Sequence, residues 1–141
     1  MFSPLLRGIP LVILDDTTVR DVSALLDTLA RANVTRIVVV PSLLREILQQ
    51  DGARLQNLKS LKRWSCSGEA LSGALAREFL RKLPWARLYN IYGSTEVAAD
   101  ASFHALRSDG AIDRAPIGRP LSNFRLYVLD ERLRPVPLGL P

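Results

Sequence analysis

The sequence holds one cysteine, Cys66, and one histidine, His104. A lone cysteine cannot close a disulfide within the chain, which excludes a disulfide scaffold and favours a reducing compartment. One Cys and one His are also too few for a Cys/His zinc site built within the chain. No run of five or more like charges occurs, so there is no basic arm. The longest apolar runs, Ile9–Leu14 and Ile37–Val40, fall far short of the ~20 residues that span a bilayer. Met1–Leu6 lacks the basic region, apolar stretch and cleavage site of a signal peptide. These absences lead to the expectation of a soluble, cytoplasmic protein with no membrane partner.

What is present is the composition of a globular chain. Its 141 residues are 48% apolar and 23% charged, one domain's worth or a piece of a larger one. Nineteen Lys and Arg against fourteen Asp and Glu give a net charge of +5 and a pI near 10.0. That balance permits nucleic-acid binding, but the arginines are scattered among carboxylates, as in Arg20-Asp21, Arg45-Glu46 and Arg77-Glu78, and no binding motif appears. No nucleic-acid partner is expected.

Short solid apolar runs alternate with helical stripes. Pro10–Leu14, bounded by Gly8 and Asp15-Asp16, reads as a buried strand. Val22, Leu25, Leu26 and Leu29 then mark one face of an amphipathic helix closed near Asn33. Arg36–Val40 is a second strand, stopped by Pro41. Ser42 is positioned to cap a helix carrying Leu43, Leu44, Ile47 and Leu48, which is expected to end at Asp51-Gly52. Leu61–Ser67 is a third strand, and Ser72 caps a helix with Leu75, Phe79 and Leu83 stacked, ended by Pro84. Arg87–Ile91 is a fourth strand running into a turn at Gly93. Strands separated by helices predict an α/β fold: βαβ repeats with right-handed crossovers forming a mostly parallel sheet. Beyond Glu96, Val97–His104 fits a strand, Arg107–Arg114 a polar loop, Phe124–Leu129 a half-exposed strand, and Pro135–Pro141 a turn that leads to no closing element.

In open α/β sheets, ligands bind at the carboxyl ends of the strands. Two polar turns fall at such ends: Ser65-Cys66-Ser67-Gly68-Glu69-Ala70 and Asn90-Ile91-Tyr92-Gly93-Ser94-Thr95-Glu96. Gly93 lets backbone approach a ligand, and Ser94 and Thr95 offer hydroxyls to phosphate oxygens. Glu96 is a hard oxygen ligand suited to Mg²⁺, and Tyr92 presents a ring on which a purine can stack. Together they suggest a nucleotide. The bland alternative is a strand-to-helix turn with a capping hydroxyl and an acidic first turn. Cys66 reads as a small buried hydrophobe, since no His or Lys is placed to activate it. His104 reads as structural or surface, with a general-base role the weaker alternative. Trp64 and Trp85 read as core or interface aromatics.

Asn90–Glu96 resembles the Asn-x-Tyr-Gly-x-Thr-Glu signature of the adenylate-forming superfamily, which holds acyl-CoA synthetases, luciferases and nonribosomal peptide synthetase adenylation domains. Ser67-Gly68-Glu69-Ala70-Leu71 resembles that family's Gly-Gly-Glu-Ala-Leu turn. Pro116–Pro120 with Val128-Leu129-Asp130 resembles the run closing its large N-terminal domain, and Phe2–Gly8 a helix and turn upstream. The resemblance covers the whole chain and is nearest to the nonribosomal peptide enzymes.

It implies the following roles. Asn90 would hydrogen-bond the adenine amino group, Tyr92 would stack on the ring, and Gly68, Glu69 and Ala70 would wall the base. Ile91, Gly93 and Ser94 complete the nucleotide turn. Thr95 would bind the α-phosphate and Glu96 the Mg²⁺. The acyl pocket would be lined by Val38, Trp64, Cys66, Ile91, Ala99 and Asp100, with Asp100 hinting at a polar or basic substrate. The implied reaction is attack of a carboxylate, favoured to be an amino acid's, on the α-phosphorus of ATP, giving acyl-AMP and pyrophosphate. The acyl group would pass to the phosphopantetheine thiol of a carrier protein or to coenzyme A. The resemblance also places a phosphate loop upstream of Met1, and a ribose-binding Asp, hinge and catalytic Lys downstream of Pro141. The 141 residues are therefore expected to be an internal part of an adenylation core domain, inactive and poorly soluble alone. An acyl-CoA synthetase fragment, or a truncated non-catalytic α/β module, is the alternative.

Overall fold

The computed structural model describes residues 4–97, 99–107, 113–137 and 139. Helices α1 (Asp16–Arg20) and α2 (Val22–Arg31) precede strand β1 (Arg36–Val39). Helices α3 (Pro41–Leu48) and α4 (Gly52–Gln56) lead to β2 (Arg63–Cys66). Helix α5 (Gly73–Lys82) connects to β3 (Arg87–Ser94), a 3₁₀ turn covers Thr95–Val97, and β4 (Ala99–Ala105) and β5 (Arg119–Pro120) follow. The strands lie in the order β1-β2-β3-β4-β5. β1, β2 and β3 pair in parallel, β4 pairs antiparallel to β3, and β5 antiparallel to β4. Four of these five strands thus run one way, and only β4 is reversed. The expected α/β architecture is present.

Strand alternation divides the sheet into two unlike faces. Ile37, Val39, Trp64, Cys66 and Leu88 point toward the helices. They join Leu25, Leu26 and Leu29 of α2, Leu44, Ile47 and Leu48 of α3, and Leu75, Ala76 and Phe79 of α5 in one core. Trp64 is 0% exposed, meets Phe79 edge to face at 5.6 Å, and donates its indole N–H to the Leu61 carbonyl. The other face carries Arg36, Val38, Arg63, Ser65, Arg87, Tyr89 and Ile91, and among the described residues no helical side chain lines its groove.

The helix ends follow their side chains. The Asp15 carboxylate caps α1 by accepting from the Thr18 N–H, and Asp21 caps α2 through Ser23 and Ala24. Ser72 caps α5 as expected, accepting from the Leu75 N–H, and Asn33 takes the left-handed conformation (φ 49°) after α2. Helix α3 differs from expectation. It starts at Pro41, a residue with no N–H to leave unpaired, so Ser42 sits inside the first turn rather than capping it. Asp51-Gly52 opens α4 instead of closing α3, because the Asp51 carboxylate accepts from the Arg54 N–H.

Three expected elements are corrected. Pro10–Leu14 forms no strand and lies mostly exposed, with Ile13 at 92%. An apolar run becomes a strand only where a neighbouring ladder takes its backbone groups, and among the described residues none lies beside it. Phe124–Leu129 is likewise not a strand. Only Leu129 bridges to Pro135, around a turn whose carboxylate, Asp130, accepts from the Arg132 and Arg134 N–H groups. The fourth strand does not stop at Ile91 before a Gly93 turn but continues to Ser94, because β4 folds back on it with a bulge between Tyr92 and Gly93. Parts of the Arg107–Arg114 loop, the Phe2–Gly8 segment and the Pro135–Pro141 turn, and residue 98, lie outside the described residues.

Candidate functional site

Parallel pairing brings the two polar turns together. Cys66, the last residue of β2, is level with Asn90 on β3, so Ser67–Ala70 and Tyr92–Glu96 leave the same edge of the sheet side by side. Each turn is held by specific contacts. Gly68 has φ +92°, a conformation that a side chain would strain. Both oxygens of the Glu69 carboxylate are engaged at the start of α3, accepting from the Ser42 hydroxyl at 2.9 Å and the Ser42 N–H at 3.1 Å. No side chain of its own caps α3, so Glu69 supplies the cap across 27 residues and pins the Gly68 turn in doing so.

Asn90 is buried and donates its amide hydrogens to the Pro116 carbonyl at 2.8 Å and the Ala115 carbonyl at 3.3 Å. This fixes the amide orientation and leaves its carbonyl oxygen as the group it can offer, an acceptor suited to an amino donor. Gly118, two residues further on, has φ +79° and lies so close to Phe103 that a Cβ would sit 2.0 Å from the Phe103 carbonyl oxygen. Ser102, buried, donates to the Ile117 carbonyl at 2.8 Å. The segment around residues 115–118 is thereby clamped along β3 and β4.

Beyond the bulge the chain emerges into the open. Tyr92, Ser94, Thr95 and Glu96 are exposed. The Ser94 hydroxyl hydrogen-bonds the Glu96 carboxylate, and with the residue's own N–H holds its pKa below the ordinary carboxylate value. Glu96 is thus an ionised carboxylate facing solvent. Among the described residues no group of three Asp, Glu, His or Cys could hold a metal by itself. A single carboxylate still fits Mg²⁺, which keeps several waters and is commonly bound by one or two carboxylates plus substrate phosphates.

The open face carries a groove of about 470 Å³ lined by Arg36, Arg63, Ser65, Tyr89, Ile91, Asp100, Phe103 and Leu121. Two of the expected pocket residues, Ile91 and Asp100, are here. Val38 is on the same face, 66% exposed, beside Ser65. Ala99 opens β4, level with Ser94. Trp64 and Cys66 are corrected: both are 0% exposed and belong to the helix-side core. Burial, with a smaller contribution from Glu69, pushes the Cys66 thiol up to about 12. The expectation missed by one residue, which in a strand means the opposite face. Ser65, between Trp64 and Cys66, is the β2 side chain that joins Arg63 in lining the groove. The signal was in the sequence, since Ser65 shares the parity of the polar Arg63.

Residue parity also separates the two sides of β3. Asn90 and Tyr92 project to one side of β3, and Ile91 and Gly93 to the other. A ligand reaching both must straddle the end of β3, where Thr95 and Glu96 stand.

Two polar turns meeting at the carboxyl edge of an α/β sheet stand where open sheets of this class bind their ligands. A family model described as "AMP-binding enzyme" matches residues 1–141, and the chain belongs to that family. It is 40% identical to phosphinothricin tripeptide synthetase PhsB of Streptomyces viridochromogenes over 100% of its own length and 12% of that protein. It is 38% identical to the beta-alanyl-bioamine nonribosomal peptide synthetase ebony of Drosophila melanogaster over 99% of its length and 17% of that protein. Among solved structures, CmiS6 superposes with a TM-score of 0.83 at 28% identity, covering 95% of this chain and 33% of that one. The resemblance to nonribosomal peptide synthetase adenylation domains is met, and the chain spans less than a fifth of those curated relatives. Among the described residues no helix is long and apolar enough to cross a membrane.

Proposed function

We propose that these residues form part of an adenylation core domain, which activates an amino acid with ATP and hands it to a thiol. The observation that carries the reading is the shared edge of β2 and β3, where the Gly68 turn and the Tyr92–Glu96 turn stand together over two differently lined sides. The adenine base stacks on Tyr92 against the Gly68–Ala70 backbone, with its amino group donating to the Asn90 carbonyl oxygen. The amino-acid side chain enters the opposite side, between Ser65, Ile91 and Asp100, with Val38 and Ala99 at its margin. Thr95 donates its hydroxyl to an α-phosphate oxygen. When bound beside Glu96, Mg²⁺ would neutralise phosphate charge as the substrate carboxylate displaces pyrophosphate.

The Ser94 hydrogen bond keeps Glu96 ionised and aimed, while the clamp from Asn90 to residues 115–116 keeps β3 from shifting under its ligands. Asp100 favours a substrate side chain that carries a donor or a positive charge. The acceptor is the phosphopantetheine thiol of a carrier protein, a choice supported by the peptide-synthetase relatives over coenzyme A. Because the stretch covers a third of the CmiS6 chain, the phosphate loop and the catalytic lysine are assigned to other parts of the enzyme, and the 141 residues alone are inactive.

The test is amino-acid-dependent ATP–pyrophosphate exchange by the polypeptide encoded at the locus, with the Glu96→Gln and Thr95→Ala variants alongside. Losing one group that stabilises transition-state charge costs about 10²–10³ in rate. Exchange that persists unchanged in both variants, or is absent from the parent with every proteinogenic amino acid, overturns the reading.

A further inference from the structure

The turn between β2 and α5 is fastened at both ends and bare in the middle. At its start the Ser67 N–H donates to the Val39 carbonyl of β1 at 3.1 Å, and at its end Leu71 is buried in the core. Gly68, Glu69 and Ala70 between them are exposed. Among the described residues these three make no backbone hydrogen bond. What holds them is the Glu69 side chain, which reaches the first turn of α3, where its two oxygens accept separately from the Ser42 hydroxyl and the Ser42 N–H. A methyl of Val40, the residue before that helix, stands 3.5 Å from where a Gly68 Cβ would lie, so the turn also rests against the start of α3.

This arrangement decides what Glu69 can do for a nucleotide. A free carboxylate beside a triphosphate would repel it. Here both oxygens are occupied, and the charge lies at the amino end of an eight-residue helix, whose unpaired N–H groups stabilise it. The carboxylate is thereby withheld from the ligand while its backbone is held ready for one. We propose that Glu69 is a positioning residue for the nucleotide: its tether to Ser42 fixes the Gly68–Ala70 backbone as the wall against which adenine packs, and makes α3 the support of that wall. The inference deepens the adenylation reading and rests on it. A wall fixed in advance loses little freedom when the base arrives, so the tether strengthens ATP binding. It leaves the chemical step and the choice of amino acid alone, because Ser65, Ile91 and Asp100 lie on the opposite side of the sheet.

The experiment measures ATP–pyrophosphate exchange by the polypeptide encoded at the locus, with ATP and then the amino acid varied. Glu69→Ala is expected to raise KM for ATP about tenfold, as for loss of one well-made charged hydrogen bond, with kcat and KM for the amino acid within about twofold. Ser42→Ala keeps the N–H bond and should raise KM for ATP less, and Ser42→Thr, which keeps a hydroxyl, should restore the parent value. Added to Glu69→Ala, Ser42→Ala should change nothing further. Asp51→Ala removes the cap of α4 in a comparable way and should leave KM for ATP unmoved. With no ligand present, deuterium uptake at the Gly68–Ala70 amides should be about tenfold faster in Glu69→Ala, while Trp64–Cys66 stay protected. An unmoved KM for ATP in Glu69→Ala, a fall in kcat alone, an equal rise in Asp51→Ala, or unchanged deuterium uptake overturns the inference and leaves the adenylation reading standing. A parent polypeptide with no pyrophosphate exchange overturns that reading and the inference with it.

Discussion

Replacing Trp64 should weaken the fold and leave substrate choice alone, while replacing its neighbour Ser65 should do the reverse. Trp64 is 0% exposed, packs edge to face on Phe79 and donates its N–H to Leu61. Trp64→Phe keeps a ring but loses that hydrogen bond, about 1 kcal/mol, and part of the buried area, about 1 kcal/mol more, for a total near 2 kcal/mol. Trp64→Ala empties the site and costs about 3–5 kcal/mol. Ser65 is half-buried on the groove side, where Ser65→Ala stays within about 0.5 kcal/mol. Ser65→Leu projects a larger side chain into the groove and should shift amino-acid preference in exchange assays by about tenfold, equivalent to ~1.4 kcal/mol. Urea unfolding followed by circular dichroism gives the first quantity and competitive exchange the second. A Trp64→Phe variant with altered preference and intact stability would refute the assignment of faces.

Four further outcomes follow from the same geometry. Glu69→Ala, which removes both bonds to Ser42, should destabilise by ~1 kcal/mol, and Ser42→Ala, which keeps the N–H bond, by less; the double variant should cost less than their sum, since the hydroxyl bond is lost in both; urea unfolding of the four proteins measures the coupling. Gly118→Ala should cost at least ~2 kcal/mol or prevent folding, because a Cβ meets the Phe103 backbone at 2.0 Å where φ is +79°, while Gly139→Ala, with nothing within 4 Å, should be far milder in the same measurement. Asp15 has its pKa lowered from 3.8 to about 2 by the Thr17 and Thr18 hydrogen bonds, so its stabilisation of α1 is complete above the unfolded value and is lost as pH falls from about 4 to about 2; a carboxyl titration by NMR should find that low midpoint. Cys66, its thiol pushed up to about 12, should resist iodoacetamide at pH 8 in the native protein and react on unfolding.

Much of this architecture is written in local chemistry. The stripe of Val22, Leu25, Leu26 and Leu29, the Ser72 cap and the solid Arg36–Val40 run each act over a few residues, so the central elements are legible one by one. Pairing is not local. Pro10–Leu14 is as apolar as β1, yet a strand exists only when another backbone lies beside it. The β3–β4 fold-back that carries β3 through Gly93 needs a partner arriving from further along the chain. Asp51-Gly52 is ambiguous for a different reason, because a carboxylate before a glycine can follow one helix or cap the next.

The candidate site divides in the same way. Asn90, Tyr92, Thr95 and Glu96 form one contiguous motif, and their residue types carry their chemistry openly. The groove is built from open-face residues of four neighbouring strands, so a slip of one on β2 exchanged Ser65 for Trp64 and Cys66. The open-face arginines Arg36, Arg63 and Arg87 have no signature along the chain at all. They are separated by whole βα units and become neighbours only through strand register.

The central claim is that a nucleotide sits at the joint edge of β2 and β3. Photolabelling the encoded polypeptide with 2-azido-ATP and mapping the modified peptides tests it most directly. Label on Tyr92 or the Gly68–Ala70 turn, competed away by ATP and by the cognate amino acid's acyl-adenylate analogue, is the expected result. Label placed elsewhere, or label that ATP fails to displace, would contradict the account.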